Sequence, residues 1–137
     1  MSKIISLDFG LKRTGIAITD DNQIIASPLT TVDSPQLMDF LKKLVIKESV
    51  ETIVLGFPLR LDGSDSHITE NVRILKEVLE KEFPSIPVVF QDERYSSASA
   101  METIHLMGKA KHKKDKKLVD RVAATIILSE YLRSIGK

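Results

Sequence analysis

The chain contains no cysteine and no tryptophan, and its three histidines, His67, His105 and His112, are scattered. The missing thiols exclude disulfides and thiolate-bound zinc, and the scattered imidazoles offer no histidine-built metal site. Any metal must therefore sit on oxygen ligands, which suits Mg²⁺ or Mn²⁺. Long apolar runs are also missing. The opening MSKIISLDFG places no apolar stretch behind a basic segment, so it does not read as a signal peptide. No later window approaches the roughly 20 apolar residues of a membrane helix. A soluble, cytoplasmic protein without membrane contact is expected. Aromatic side chains are few, two Tyr and five Phe, with the Phe mostly in core-type positions. That speaks against a platform for stacking single-stranded bases and for recognition of a polyanion by backbone and shape.

What is present suits one globular domain spanning residues 1–137, with 42% hydrophobic and 28% charged residues and length enough for its own core. The net charge of +1 conceals an asymmetry, because Lys109 to Lys117 reads KAKHKKDKK, six lysines against one aspartate. Local basicity of this kind points to a polyanion.

Along the chain, residues 3–8, 14–20 and 23–30 read as three short strands, with Gly10 and Gly15 punctuating the first turn and Asp20-Asp21-Asn22 the second. Ser34 as N-cap and Pro35 at the first helical position start a helix, continued by Leu37, Phe40, Leu41, Leu44 and Val45 at helical spacing. Residues 51–58 form a buried-type strand stopped by Gly56 and Pro58. A turn at Asp62-Gly63 follows, then an amphipathic helix marked by Ile68, Val72, Leu75, Leu79 and Phe83. Residues 86–93 form the fifth strand, Ser97 to Met107 a third helix, and 118–132 the last. The order β-β-β-α-β-α-β-α-α implies an α/β fold, a mixed sheet with helices packed on it.

Three acids stand out. Asp8 ends the first strand, Asp92-Glu93 closes the fifth, and Asp120 lies in the last helix beside Ala123 and Ala124, where a helix can approach a sheet closely. Adjacent strand residues face opposite ways, so only one of Asp92 and Glu93 can share the face of Asp8. Each acid alone has a plain structural reading: a carboxylate on turn amides, a solvated strand-end ion pair with Arg94, a dipole-favoured acid at a helix start. Taken together, two strand-end carboxylates and one helix carboxylate form an oxygen site for Mg²⁺ or Mn²⁺, and two such ions can hydrolyse a phosphodiester.

Four blocks in order, LDFGLKRTGIAITD, IVLGFPLRLDGSDS, DERYSS and KKLVDRVAATIILSEYL, cover nearly the whole chain. In these the sequence resembles the YqgF-type family of pre-16S rRNA nucleases, also described as Holliday-junction-resolvase-like. It departs in Tyr95, Ser96 and Ser97, where the family more often shows Leu and threonines, and in GFP for GLP; neither touches a proposed ligand. The resemblance implies a ribonuclease H-like fold with a mixed five-stranded sheet whose first three strands are antiparallel. It implies Asp8, Glu93 and Asp120 as catalytic acids, dependence on a divalent metal, and a structured nucleic acid as substrate, with RNA preferred and branched DNA compatible. Lys12, Arg13, Arg94, Lys109, Lys111, Lys113, Lys114, Lys116 and Lys117 are the expected phosphate contacts. Arg94 has a second reading as a support for Glu93. Monomer and homodimer both remain open. Two other function classes compete: a binding factor without catalysis, and an actin-like ATPase suggested by DFGLKRTG, although such enzymes close two domains and this chain has length for one.

Overall fold

A computed structural model of the protein describes residues 2–60, 62–93 and 116–136. It contains β1 (Lys3–Phe9), β2 (Arg13–Thr19), β3 (Ala26–Asp33), a 3₁₀ turn (Ser34–Gln36), α1 (Leu37–Lys47), β4 (Val50–Phe57), α2 (Thr69–Glu82), β5 (Val88–Asp92) and α3 (Lys116–Ser134). The strands form one sheet in the order β3-β2-β1-β4-β5. β1, β2 and β3 pair antiparallel, whereas β4 and β5 join parallel beside β1. This is the expected mixed five-stranded sheet with three antiparallel leading strands.

Period-two alternation sorts the strand residues into two cores. Ile5, Leu7, Ile16, Ile53 and Leu55 face α1 and α2, meeting Leu37, Leu41, Leu44, Val72 and Leu79. Ile4, Ala17 and Val54 face α3, meeting Ala124, Ile127, Leu128 and Leu132. A central parallel strand buried on both faces reads as a continuous apolar run, which accounts for Ile53, Val54 and Leu55, all fully buried. The alternation also carries Asp8 onto the α3 face, two residues beyond Ser6, whose buried hydroxyl donates to the Ala124 carbonyl at 2.6 Å. The same count from Val89, which packs in the α3 cluster, places Glu93 rather than Asp92 on that face.

Several boundaries differ from expectation for identifiable reasons. The third strand begins at Ala26, not at residue 23, because the Asp20 carboxylate accepts the Ile24 and Ile25 amides, each at 2.8 Å, and lengthens the turn. Gly15 is no turn residue: it lies within β2, paired with Asp8. Nor does Gly56 stop its strand, since β4 runs through it to Phe57. Ser34 does not cap α1. It opens the 3₁₀ turn, and its hydroxyl donates instead to the Gly10 carbonyl at 2.5 Å. β5 is shorter than expected, leaving Glu93 just past its end, and the last helix is longer by two residues at each end. The helix expected over Ser97 to Met107 lies outside the described residues. Among those described, no helix is long and apolar enough to cross a membrane.

Candidate active site

Two glycines bring the acids together. Gly15, opposite Asp8 in the β1–β2 ladder, has no room for a side chain, because a Cβ there would collide with the backbone carbonyl of Asp120. The backbone of α3 therefore rests directly on β2 beside β1, and this contact delivers Asp120 to Asp8. Gly56 does the same on β4. A Cβ at that position would strike the Glu93 carboxylate and would stand 2.7 Å from Ile127 Cδ1. The missing side chain is the space that Glu93 fills. Glu93 is fixed by its amide, which donates to the Phe57 carbonyl at 3.2 Å and extends the β4–β5 ladder by one bond.

Asp8 and Glu93 share a hydrogen bond in surroundings that disfavour their charge. Burial pushes the Asp8 carboxyl up to about 6, its hydrogen bond with Glu93 opposes the rise, and the negative charge of Asp120 adds to it. Burial is also the leading cause at Glu93, which is pushed up to about 10, followed by the Asp8 charge, their hydrogen bond and the charge of Asp92. At neutral pH the pair holds one proton and titrates as a unit, as adjacent carboxylates sheltered from water must. Both residues keep a partly exposed edge, so the pair is accessible from solvent.

Asp120 is close enough to Asp8 to raise its pKa, yet its Oδ2 accepts the Arg13 Nε–H at 2.9 Å. Among the described residues, no three acids or histidines are already gathered around a common point as a finished metal cage. The donor chemistry nonetheless suits a hard divalent ion, since every candidate ligand is a carboxylate oxygen. A carboxylate pair that retains a proton against its ordinary pKa gains from any cation that replaces that proton.

The remaining expected contacts divide. Lys12 is exposed at the tip of the β1–β2 turn, and Lys116 and Lys117 are exposed in the first turn of α3, one helical turn before Asp120. The Lys117 carbonyl is tied to β3 by the Thr31 hydroxyl at 2.7 Å. Arg13 faces Asp120 rather than open solvent. Arg94, Lys109, Lys111, Lys113 and Lys114 lie outside the described residues. In the loop after β4, Asp62 accepts the Ser64 amide at 2.9 Å, the turn role its position suggests; Asp65, expected as a turn or cap residue, instead pairs with Arg73 of α2 at 2.7 Å. Sequence reasoning gave Gly15 and Gly56 turn and strand-end roles and passed over Ser6. For the two glycines a signal exists: a lone Gly inside a strand pattern marks a close approach of other chain.

A sequence profile described as RuvX, Holliday junction resolvase, matches residues 2–134. The chain belongs to the RuvX family. Relatives named "Putative pre-16S rRNA nuclease" include one from Phocaeicola vulgatus, 46% identical over 135 residues and covering 98% of this chain and 97% of its own. Another, from Porphyromonas gingivalis, is 45% identical over 133 residues, 96% of each chain. Among solved structures, RuvC from Thermus thermophilus in complex with Holliday junction substrate superposes with a TM-score of 0.60 at 12% identity, over 99% of this chain and 97% of that one. Fowlpox virus resolvase with Holliday junction DNA gives 0.55 at 17% identity, over 98% and 99%. These likenesses establish the ribonuclease H-like fold, and RuvX membership places the chain in a family of nucleases.

Proposed function

We propose that the protein is a cytoplasmic, metal-dependent nuclease that hydrolyses phosphodiesters of structured nucleic acid, with the 5′ end of pre-16S ribosomal RNA as its substrate. The observation that carries this reading is the sheltered Asp8–Glu93 carboxylate pair with Asp120 adjoining, held under α3 by two glycine contacts. Family membership and relatives named as pre-16S rRNA nucleases support the substrate class. Asp8, Glu93 and Asp120 would hold Mg²⁺ or Mn²⁺, two ions in the full site. When bound, the ions supply an activated water and neutralise the leaving oxygen.

The chain's own residues do the rest. Loss of the shared proton frees both oxygens of Glu93 and Asp8 for ligation. Lys12, Lys116 and Lys117 flank the acids and neutralise the phosphates that would otherwise be repelled by them; Arg94, Lys109, Lys111, Lys113 and Lys114, outside the described residues, are further phosphate contacts in this reading. A binder without catalysis gains nothing from acids turned toward a polyanion, which weighs against the non-enzymatic alternative. A second reading, cleavage of four-way DNA junctions, is favoured by membership of a Holliday junction resolvase family and by the junction-bound resolvases that share the fold. Purified protein incubated with Mg²⁺ or Mn²⁺, on a pre-16S leader RNA and on a four-way junction, separates the two. Preferential cutting of the RNA supports the first reading, preferential cutting of the junction the second. Equal cutting of either substrate in excess chelator contradicts both.

A further inference from the structure

Arg13 occupies a constrained position. It follows the two-residue tip Leu11-Lys12, its carbonyl accepts the Gly10 amide at 2.9 Å, and a Cβ on Gly10 would stand only 2.6 Å from that carbonyl. The turn is therefore tight, and Arg13 enters β2 with its backbone paired to Asp33 on the far side. From this anchored start its side chain reaches Asp120 Oδ2 at 2.9 Å, and the two side chains are only 22% and 21% exposed. An ion pair this sheltered is screened far less than a surface pair, and neither member leaves it without a replacement. The bond also occupies an oxygen of the acid that the proposed metal site requires.

We propose that Arg13 is an exchangeable counterion. In the metal-free protein it holds Asp120; when a divalent ion claims that carboxylate, the guanidinium is released and takes a phosphate of the incoming strand. Guanidinium suits both partners, because its planar fork matches carboxylate and phosphate alike. Two consequences follow. On this proposal metal binding breaks the Arg13–Asp120 bond, so the arginine lowers metal affinity. Released Arg13 then favours nucleic acid, and by reciprocity nucleic acid favours metal. Arg13 thus couples the two ligands and is a positioning residue for Asp120. The inference rests on the proposed role of Asp120 as a ligand.

The test measures Mn²⁺ affinity by calorimetry, and junction-DNA and RNA-hairpin affinity with and without Ca²⁺, in wild type, Arg13→Gln, Arg13→Lys, Asp120→Asn and Asp8→Asn. Arg13→Gln is expected to bind Mn²⁺ about tenfold more tightly, within the usual span of coupling factors. Its nucleic-acid affinity should no longer rise with Ca²⁺ as that of wild type does. Arg13→Lys, which keeps the charge without the fork, should fall between them and stands in if Arg13→Gln fails to fold. Unchanged or weaker Mn²⁺ binding by the folded arginine variants overturns the proposal. Asp120→Asn binding Mn²⁺ like wild type also overturns it while leaving Asp8 and Glu93 as ligands. If Asp8→Asn binds Mn²⁺ like wild type, the metal-site reading itself falls, and the inference with it.

Discussion

A single methyl group at Gly15 should separate α3 from the sheet. The Cβ introduced by Gly15→Ala would collide with the Asp120 carbonyl carbon and oxygen, and it would stand 3.0 Å from the Arg121 amide nitrogen. All three atoms are backbone within a 19-residue helix, so no rotamer change relieves the clash and the helix itself must shift. Overpacking of this kind costs about 1–3 kcal/mol, and a rigid obstacle argues for the upper end. The shift also strains the Ser6 hydroxyl bond to the Ala124 carbonyl, one turn further along, which is worth about 1 kcal/mol. Gly15→Ala should therefore destabilise the protein by roughly 3–4 kcal/mol. Urea titration followed by circular dichroism reads this as a lower midpoint at unchanged slope. Gly136→Ala is the control: its Cβ meets nothing within 4 Å, and only its positive φ of 83° is unfavourable. A Gly15→Ala loss no larger than that of the control would refute the argument that α3 rests on that glycine.

The remaining expectations concern the acids. Gly56→Ala pushes against the end of the Glu93 side chain and the tip of Ile127, both able to give way, so stability should fall by only about 1 kcal/mol. Activity should be lost, because Glu93 can no longer occupy its place; a folded, fully active Gly56→Ala would contradict the placement. The raised carboxyls also predict a pH dependence. Burial and mutual repulsion raise the Asp8–Glu93 pair above ordinary carboxylate values, so at neutral pH the native chain binds more protons than the unfolded chain. Stability from the pair is complete below the ordinary carboxylate range and declines as pH rises through neutrality toward 10, by up to about 1.4 kcal/mol per pH unit for one proton. Denaturation in chelator from pH 5 to 9 should show this decline in wild type and a flatter profile in Glu93→Gln, and equal profiles would exclude the shared proton.

The fold was legible because periodicity reports burial directly. Ile53, Val54 and Leu55 announce a strand covered on both faces, and Val72, Leu75 and Leu79 announce a helix covered on one. Boundaries were less legible where one side chain redirects the backbone, as the Asp20 carboxylate does by accepting the Ile24 and Ile25 amides. For the acids, residue type and strand-end position suggested Asp8 and Glu93, and alternation from Asp8 and Val89 selects Glu93 over Asp92. What sequence order did not convey is how the acids meet. That depends on an absence, the missing Cβ of Gly15 and Gly56, and on a contact between residues 13 and 120 at opposite ends of the chain. Long-range ion pairs leave no local spacing to read, and Arg13 stands in the same KR pair as exposed Lys12, so its partner emerged only from the fold.

The most direct measurement is the single-turnover cleavage rate of Asp8→Asn against wild type, on pre-16S leader RNA in Mg²⁺ or Mn²⁺. Asparagine keeps the shape of Asp8 at the centre of the site but neither shares the Glu93 proton nor offers a charged ligand. Loss of groups that merely orient a metal ligand costs about 10–100-fold, so loss of a ligand should exceed about 100-fold. The variant should unfold no earlier than wild type, since removal of a sheltered charge relieves a burial penalty. A folded Asp8→Asn protein that cleaves at the wild-type rate would contradict the account at its centre.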